Sequence, residues 1–537
     1  MPDVALPADS VRPSPSAMPA LAAPKPSINP WLIAIIVSMA TFMEVLDTSI
    51  ANVSLTHIAG NLGASQDEAT WVLTSYLVSN AIIMPISGWL ANVMGRKRFY
   101  MSCVALFTFA SFLCGLAPSL GWLLVFRVLQ GAGGGGLAPS EQSILADTFS
   151  PKQRGMAFAV YGLAVVVAPA IGPTLGGWIT DNYNWRWIFY INVPVGCLSL
   201  FLTDLFVQDS WQAKLESANV WKNGLKIDYI GFGLVALGLG ALQVVLDKGQ
   251  EDDWFGSNFI IVATIIAVVG LATMFIWETR VAKEPIVDLR LLKIPNFLVS
   301  VILMFVVGFI LTSTTQLLPQ FVQQLLGYDA TTAGMVLMGG GFTLMCVMPI
   351  AGILVGRMQP KWLIMIGILG TAAAMYNLTF LDTNVPFSTM VWARIYQCIF
   401  LPLFFIPINT LAYSDLPVGR SNNASALLNL ARNLGGAIGI SIAITLLTRR
   451  SQFHMERLSA HLTPFDLPFK HELHLLTGRL GHDSAMRVIY ESLQQQAAML
   501  SYQDVFKIMA IACLPVAVVV LFFKKIKPGE HTDAPMH

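Results

Sequence analysis

The sequence predicts an all-α membrane protein of fourteen transmembrane helices, arranged as six, two and six. Three observations carry this prediction. Only 12% of the 537 residues are charged and 55% are hydrophobic, whereas a water-soluble globular chain carries roughly 25% charged residues. Fourteen stretches approach the roughly 20 predominantly apolar residues needed to cross a hydrocarbon core. Lys and Arg then alternate between many and few from one connection to the next, as the positive-inside rule requires of an even number of crossings.

The expected spans of the first six are Trp31–Ile50, Trp71–Ala91, Phe99–Ala117, Trp122–Ala146, Met156–Thr180 and Trp187–Val207. The inserted pair is Tyr229–Leu246 and Asn258–Trp277. The last six are Phe297–Pro319, Ala333–Val355, Trp362–Leu381, Ser388–Tyr413, Ala424–Thr448 and Val505–Phe523. The chain therefore divides into a Pro/Ala/Ser-rich tail at 1–30, a first bundle at 31–207, the inserted helices with linkers at 208–296, a second bundle at 297–523 and a tail at 524–537. The first tail has no basic start and apolar core, so it reads as a disordered segment and not as a signal peptide.

With both termini placed in the cytoplasm, that side holds Arg96, Lys97, Arg98, Lys152, Arg154, Arg280, Lys283, Arg357, Lys361 and Arg420 among others. The short connections on the opposite side hold only Arg186 and Lys248. One long outer loop, 449–503, carries further basic residues, but long loops weigh little in topology. A net charge of +1 supplies no bulk pull toward nucleic acid. The six cysteines fall in apolar stretches without metal-ligand spacing, and are read as small apolar residues.

An internal repeat supports the division into halves. Pro85-x-x-Gly88 closes the second span ahead of Gly95-Arg96-Lys97, and Pro349-x-x-Gly352 closes the tenth ahead of Gly356-Arg357. Arg127-x-x-Gln130 in the fourth span is matched by Arg394-x-x-Gln397 in the twelfth, at nearly the same offset. Repeats of this kind place the substrate between the halves.

Gly88-Trp-Leu-Ala-Asn92-Val-Met-Gly95-Arg96-Lys97-Arg98 resembles the loop motif of the major facilitator superfamily, with Asn92 in place of the usual acid. Leu123-x-x-x-Arg127-x-x-Gln130-Gly131 is similar to its fourth-helix motif. Ala168-Pro169-Ala-Ile-Gly172-Pro173-Thr-Leu-Gly176-Gly177 is similar to the fifth-helix motif of its antiporters. Phe42-Met-Glu-Val-Leu-Asp47-Thr-Ser-Ile-Ala-Asn52, Trp185 to Gly196 and Leu246 to Phe255 narrow the resemblance to the fourteen-helix drug:proton antiporters of the EmrB/QacA type, nearest the EmrB side. The resemblance implies a bacterial inner-membrane exporter of small lipophilic or cationic compounds, driven by protons through alternating access. It also implies a periplasmic adaptor and an outer-membrane channel as partners.

Ionisable groups inside spans are costly, and so are functional candidates. Glu44 and Asp47 are three residues apart and share a helix face. At 1.5 Å per residue, Asp47 lies roughly 6 Å and Arg127 roughly 9 Å from the outer ends of their spans, so the two are expected to meet. Asp47 is the first candidate for the proton-coupling acid, under the control of Arg127, although a purely structural ion pair explains the same residues. Glu44, one turn deeper, is the second candidate and a contact for cationic cargo. Gln130 and Glu141 join it as candidate substrate contacts, while Glu141 and Asp204 near their span ends are equally explained by snorkelling. Gly88, Asn92, Gly95, Arg96 and Lys97 form the candidate gate, where an acid restored at Asn92 is expected to strengthen closure. Gly172 and Pro173, with Gly176 and Gly177, read as a bend, which the resemblance connects with limiting proton leak. Gly133 to Gly136 reads as a close-packing run.

The outer loop carries apolar residues at helical spacing, such as Met486, Ile489 and Leu493. At some 55 residues it far exceeds the 2–8 usual between packed helices, and it is the expected docking surface for the adaptor. No GxSxG elbow, HExxH pair or Walker loop sits on a suitable element, so neither an enzyme nor a cofactor is expected. Export of endogenous metabolites such as fatty acids or siderophores is the alternative cargo. A non-transporting membrane scaffold or sensor is the alternative class.

Overall fold

In the computed structural model, residues 29–209, 217, 228–282, 285–417, 419–463 and 465–523 are described, and their regular structure is entirely helical. Most of the two expected tails and of the 208–227 linker lies outside these residues. Thirteen of the described helices are long and apolar enough to cross a membrane. The spans begin where local chemistry starts a helix. Asn29 caps the first, Pro30–Val53, by accepting from the Trp31 N–H, with Pro30 in the first turn. Ser65 and Glu68 close a reciprocal capping box at the start of the second, Gln66–Met94. Gly95, at φ +86°, makes the corner into the third, Arg96–Leu116.

The fourth span is two helices, Leu120–Gly134 and Leu137–Thr148, each too short to cross alone. The glycine run explains both the break and the packing. A Cβ on Gly131 would lie 2.4 Å from the Tyr76 carbonyl oxygen, and one on Gly133 would lie 2.6 Å from the Phe107 nitrogen. Only glycine lets this span rest directly on the backbones of the second and third. The fifth span, Pro151–Asn182, is continuously helical through Pro169 and Pro173, where the sequence suggested a bend. Pro173 has no N–H to offer the Pro169 carbonyl four residues back. Ser49 of the first span offers its hydroxyl there instead, at 3.4 Å.

The sixth span is Trp187–Phe206, and the inserted pair is Tyr229–Lys248 and Asn258–Val281. The eighth presents Val262, Ile265, Val268, Val269 and Phe275 outward, each more than half exposed, as a lipid-facing surface does. The last six are Pro295–Gln324, Ala330–Arg357, Pro360–Asn377, Phe387–Ala412, Ser421–Ser459 and His482–Val519. Packing repeats between the sets: first on fifth and ninth on thirteenth, second on fourth and tenth on twelfth, third on sixth and eleventh on fourteenth. The bundles meet where the fifth span lies on the tenth and the second on the thirteenth.

The expected long loop at 449–503 is corrected. The thirteenth helix continues to Ser459, Leu467–Leu480 is helical, and the fourteenth helix starts at His482. At 39 and 38 residues, the two long helices span about 57 Å each, nearly twice a hydrocarbon core of about 30 Å. Hydropathy ends at Arg449, but helix does not: no Gly or Pro occurs from Ile440 to Thr463. Asp504 joins the two stalks, accepting from Arg450 at 2.6 Å and facing His454 at 2.7 Å.

Candidate functional site: a buried polar core between two bundles

Asp47 and Arg127 do meet. One Arg127 Nη1 donates to Asp47 Oδ2 at 2.6 Å, and the side chains are 1% and 0% exposed. The other Asp47 oxygen accepts from Gln130 Nε2 at 2.9 Å and Asn192 Nδ2 at 2.6 Å. Arg127 also donates to the Val72 carbonyl at 3.0 Å and Gln130 Oε1 at 2.7 Å, and lies over the Tyr76 ring at 4.4 Å. Gln130 Nε2 further donates to Ser111 Oγ at 2.6 Å. Gln130, at 0% exposure, is thus engaged on both amide atoms by the ion-pair network. It has no polar atom left for cargo in this arrangement, contrary to the expectation of a substrate contact.

Glu44 stands apart from that network. It accepts from the Tyr76 hydroxyl at 3.1 Å and Asn80 Nδ2 at 3.0 Å, both neutral donors. Asn80 in turn accepts from Asn433 of the second bundle at 3.3 Å. Glu141 is fully buried and accepts from Ser38 Oγ at 2.5 Å. Snorkelling is therefore excluded for Glu141, because the kink after the glycine run turns this residue inward. Asp204 does reach outward and pairs with Lys97 at 3.1 Å. Across the interface, Arg432 donates to the Tyr161 hydroxyl at 2.6 Å.

From this centre a seam of amides and hydroxyls runs toward the Gly95 end. Tyr161 donates to Asn429 at 3.2 Å, Asn429 to Gln142 at 2.8 Å, and Gln142 to Asn409 at 3.3 Å. Ser143 donates to Asn422. Asn422 donates to Asn92 at 2.6 Å, and Asn92 donates to Asn423 at 3.2 Å. A Cβ on Gly88 would lie 2.9 Å from the Asn423 Cα, so the second and thirteenth spans touch backbone to backbone. Arg96 pairs with Asp147 of the fourth span, and the Lys97 N–H donates to Asp209 at 2.8 Å. Asn92 therefore serves the joint between bundles, and the motif arginine has its acid elsewhere. Gly172 and Gly176 seat Ser49 and Ile50 of the first span, whereas Gly177 faces open space.

Sequence reasoning missed Tyr76, Asn80, Asn192, Tyr161, the asparagine ladder and Arg432. Arg432 carried a signal, since it lies eight residues inside the thirteenth apolar stretch. The others are neutral, and their spacing alone does not set them apart.

The Major Facilitator Superfamily model matches residues 37–440. The multidrug export protein EmrB of Escherichia coli K12 is 36% identical, over 88% of this chain and 91% of that protein. The fatty acid resistance protein FarB of Neisseria gonorrhoeae is 36% identical, over 89% of this chain and 93% of that protein. Among solved structures, a double-tryptophan variant of the transporter XylE superposes with a TM-score of 0.62, covering 94% of this chain and 97% of that one at 14% identity, a likeness of fold.

Proposed function

The chain belongs to the major facilitator superfamily, among its EmrB-like transporters, and from that premise we propose that it is a proton-coupled multidrug exporter working by alternating access. The observation that carries the coupling mechanism is the link from Asn433 of one bundle through Asn80 to Glu44 of the other, a buried acid that enters no salt bridge among the described residues. Glu44 is the proton carrier favoured by geometry. Protonating it breaks no ion pair, whereas a proton on Asp47 displaces either Arg127 from Oδ2 or the two amide donors from Oδ1. Asp47 and Arg127 then form the linked element that holds Tyr76 and the first span in register. Glu44 and Glu141 also supply the negative charge a lipophilic cation would seek.

The experiment is transport by purified protein in proteoliposomes. An imposed pH gradient is expected to drive a lipophilic cation such as tetraphenylphosphonium uphill, and Glu44→Gln to abolish this while leaving gradient-free exchange of a neutral cargo. Uphill transport that persists in Glu44→Gln assigns the proton elsewhere.

The basic asymmetry of the connections supports a bacterial inner-membrane location with both termini cytoplasmic. The Gly95 end is then cytoplasmic, and the helical stalks from Arg449 to Gln503 are periplasmic. Their tip carries Phe465, Leu467, Tyr490 and Leu480, each at least half exposed. A stable interface needs about 800 Å² from each partner, which the short outer turns do not offer. The stalks are the natural seat for a periplasmic adaptor leading to an outer-membrane channel. The relative named for fatty acid resistance keeps amphipathic carboxylates as a second cargo class.

A further inference from the structure

The internal repeat places a second buried arginine where the first bundle has its ion pair. Arg394 is 5% exposed, and its Nη1 donates to Gln397 Oε1 at 2.7 Å, the same contact Arg127 makes with Gln130. The offset of 267 residues that carries Arg127 onto Arg394 also carries Asp47 onto Thr314 and Gln130 onto Gln397. The second bundle thus keeps the arginine and the glutamine and has a threonine where the acid would be. The four consecutive helices from Pro295 to Ala412 contain no Asp or Glu, and among the described residues Arg394 enters no salt bridge.

Thr314, Thr371, Arg394 and Gln397 line one small cavity with room for about one water. Apolar side chains complete its wall, including Val166 of the fifth span, so it lies on the side of the second bundle that faces the first. Two of its buried polar groups, Arg394 Nε and Thr371 Oγ1, have no hydrogen-bond partner among the described residues. A buried guanidinium without a counter-charge is costly, and its planar fork fits a carboxylate or a compact anion. Asp47 occupies the corresponding place in the first bundle by covalent attachment to its own helix.

We propose that the Arg394–Gln397–Thr314–Thr371 cavity is a binding site for one small monovalent anion of halide size. Arg394 supplies the charge and the Nε donor, Thr371 supplies a hydroxyl donor, and Gln397 orients the guanidinium. Thr314, whose own hydroxyl donates to the Ile310 carbonyl at 2.8 Å, leaves the place of the acid to the anion.

The test is anion-dependent thermal unfolding of the full chain in nanodiscs of neutral lipid. Chloride is titrated against gluconate, and sodium octanoate is titrated at constant chloride. The unfolding temperature is expected to rise saturably with chloride and not with octanoate. Arg394→Gln is expected to weaken the apparent affinity on the order of tenfold or more. Thr314→Asp is expected to remove the dependence by supplying a resident carboxylate, with stability at or above that of the unmodified chain in gluconate. Saturation by chloride alone supports the halide site, and octanoate acting in competition with chloride overturns a site of this size. Absence of any saturable shift in the unmodified chain, or a shift unchanged in Arg394→Gln, overturns the proposal. Export of a neutral or cationic compound by the same purified protein is measured separately in proteoliposomes, so failure of the export reading is distinguishable from failure of the anion site.

Discussion

Arg432 of the thirteenth span donates to the Tyr161 hydroxyl of the fifth at 2.6 Å, a charged hydrogen bond thrown from one bundle to the other at the level of Glu44 and Glu141. Separation of the bundles at this depth must break it. Arg432→Gln is therefore expected to lower proton-driven export at least tenfold. Tyr161→Phe removes the hydrogen bond from a charged group, worth about 1.5–3 kcal/mol, together with the one Tyr161 donates to Asn429, and is expected to shift the balance toward opening at the Gly95 end. Both are read by initial rates in proteoliposomes and by solvent access to a cysteine at Ser143. Full activity in Arg432→Gln would remove this residue from the cycle.

Glu44 and Asp47 are expected to fail differently. Glu44→Gln should leave thermal stability nearly unchanged, because glutamine still accepts from Tyr76 and Asn80, and should affect cationic cargo more than neutral cargo. Asp47→Asn strips the counter-charge from a guanidinium that is 0% exposed, a loss of about 3–5 kcal/mol. The measurement is unfolding temperature beside transport. A stable Asp47→Asn with selective loss of proton coupling would return the coupling role to Asp47.

The joint at Gly88 and Asn92 sets the closure of one end. Gly88→Val places side-chain carbons within about 3 Å of the Asn423 backbone, which cannot yield as a flexible side chain would. It is expected to hold the bundles apart there, giving rapid labelling of a Ser143→Cys probe. Asn92→Asp keeps the acceptor for Asn422 but loses the donor to Asn423, so it is expected to loosen closure, opposite to the expectation from the motif alone. Slower labelling in Asn92→Asp would restore the motif-based reading.

The stalk tip is expected to matter for assembly and not for transport itself. Deletion of 465–487 with a short Gly/Ser bridge should leave liposome transport intact while abolishing adaptor co-purification and whole-cell resistance. If adaptor binding and resistance both survive, the docking role is wrong.

Fourteen spans, two repeated halves and the Asp47–Arg127 contact were legible in the sequence. Hydropathy and charge are one-dimensional properties, and two opposite charges at matched depth in an apolar medium have few other partners. The glycine run was legible as close packing, but not as the break that turns Glu141 from a helix end into the interior. Likewise, residues 449–503 looked like a loop because hydropathy measures where lipid ends, not where a helix ends. Only the tertiary structure decided which neutral groups surround each acid. Tyr76 and Asn80 reach Glu44, and Asn192 and Gln130 reach Asp47, through contacts between helices far apart in the chain. A tyrosine or asparagine inside a span carries no charge that would declare a partner. The docking of the two bundles likewise decided that Arg432 meets Tyr161 and that Arg394 enters no salt bridge among the described residues. Each arginine was visible as a costly residue, but its counter-charge, or lack of one, depends on how twelve helices pack and not on their order.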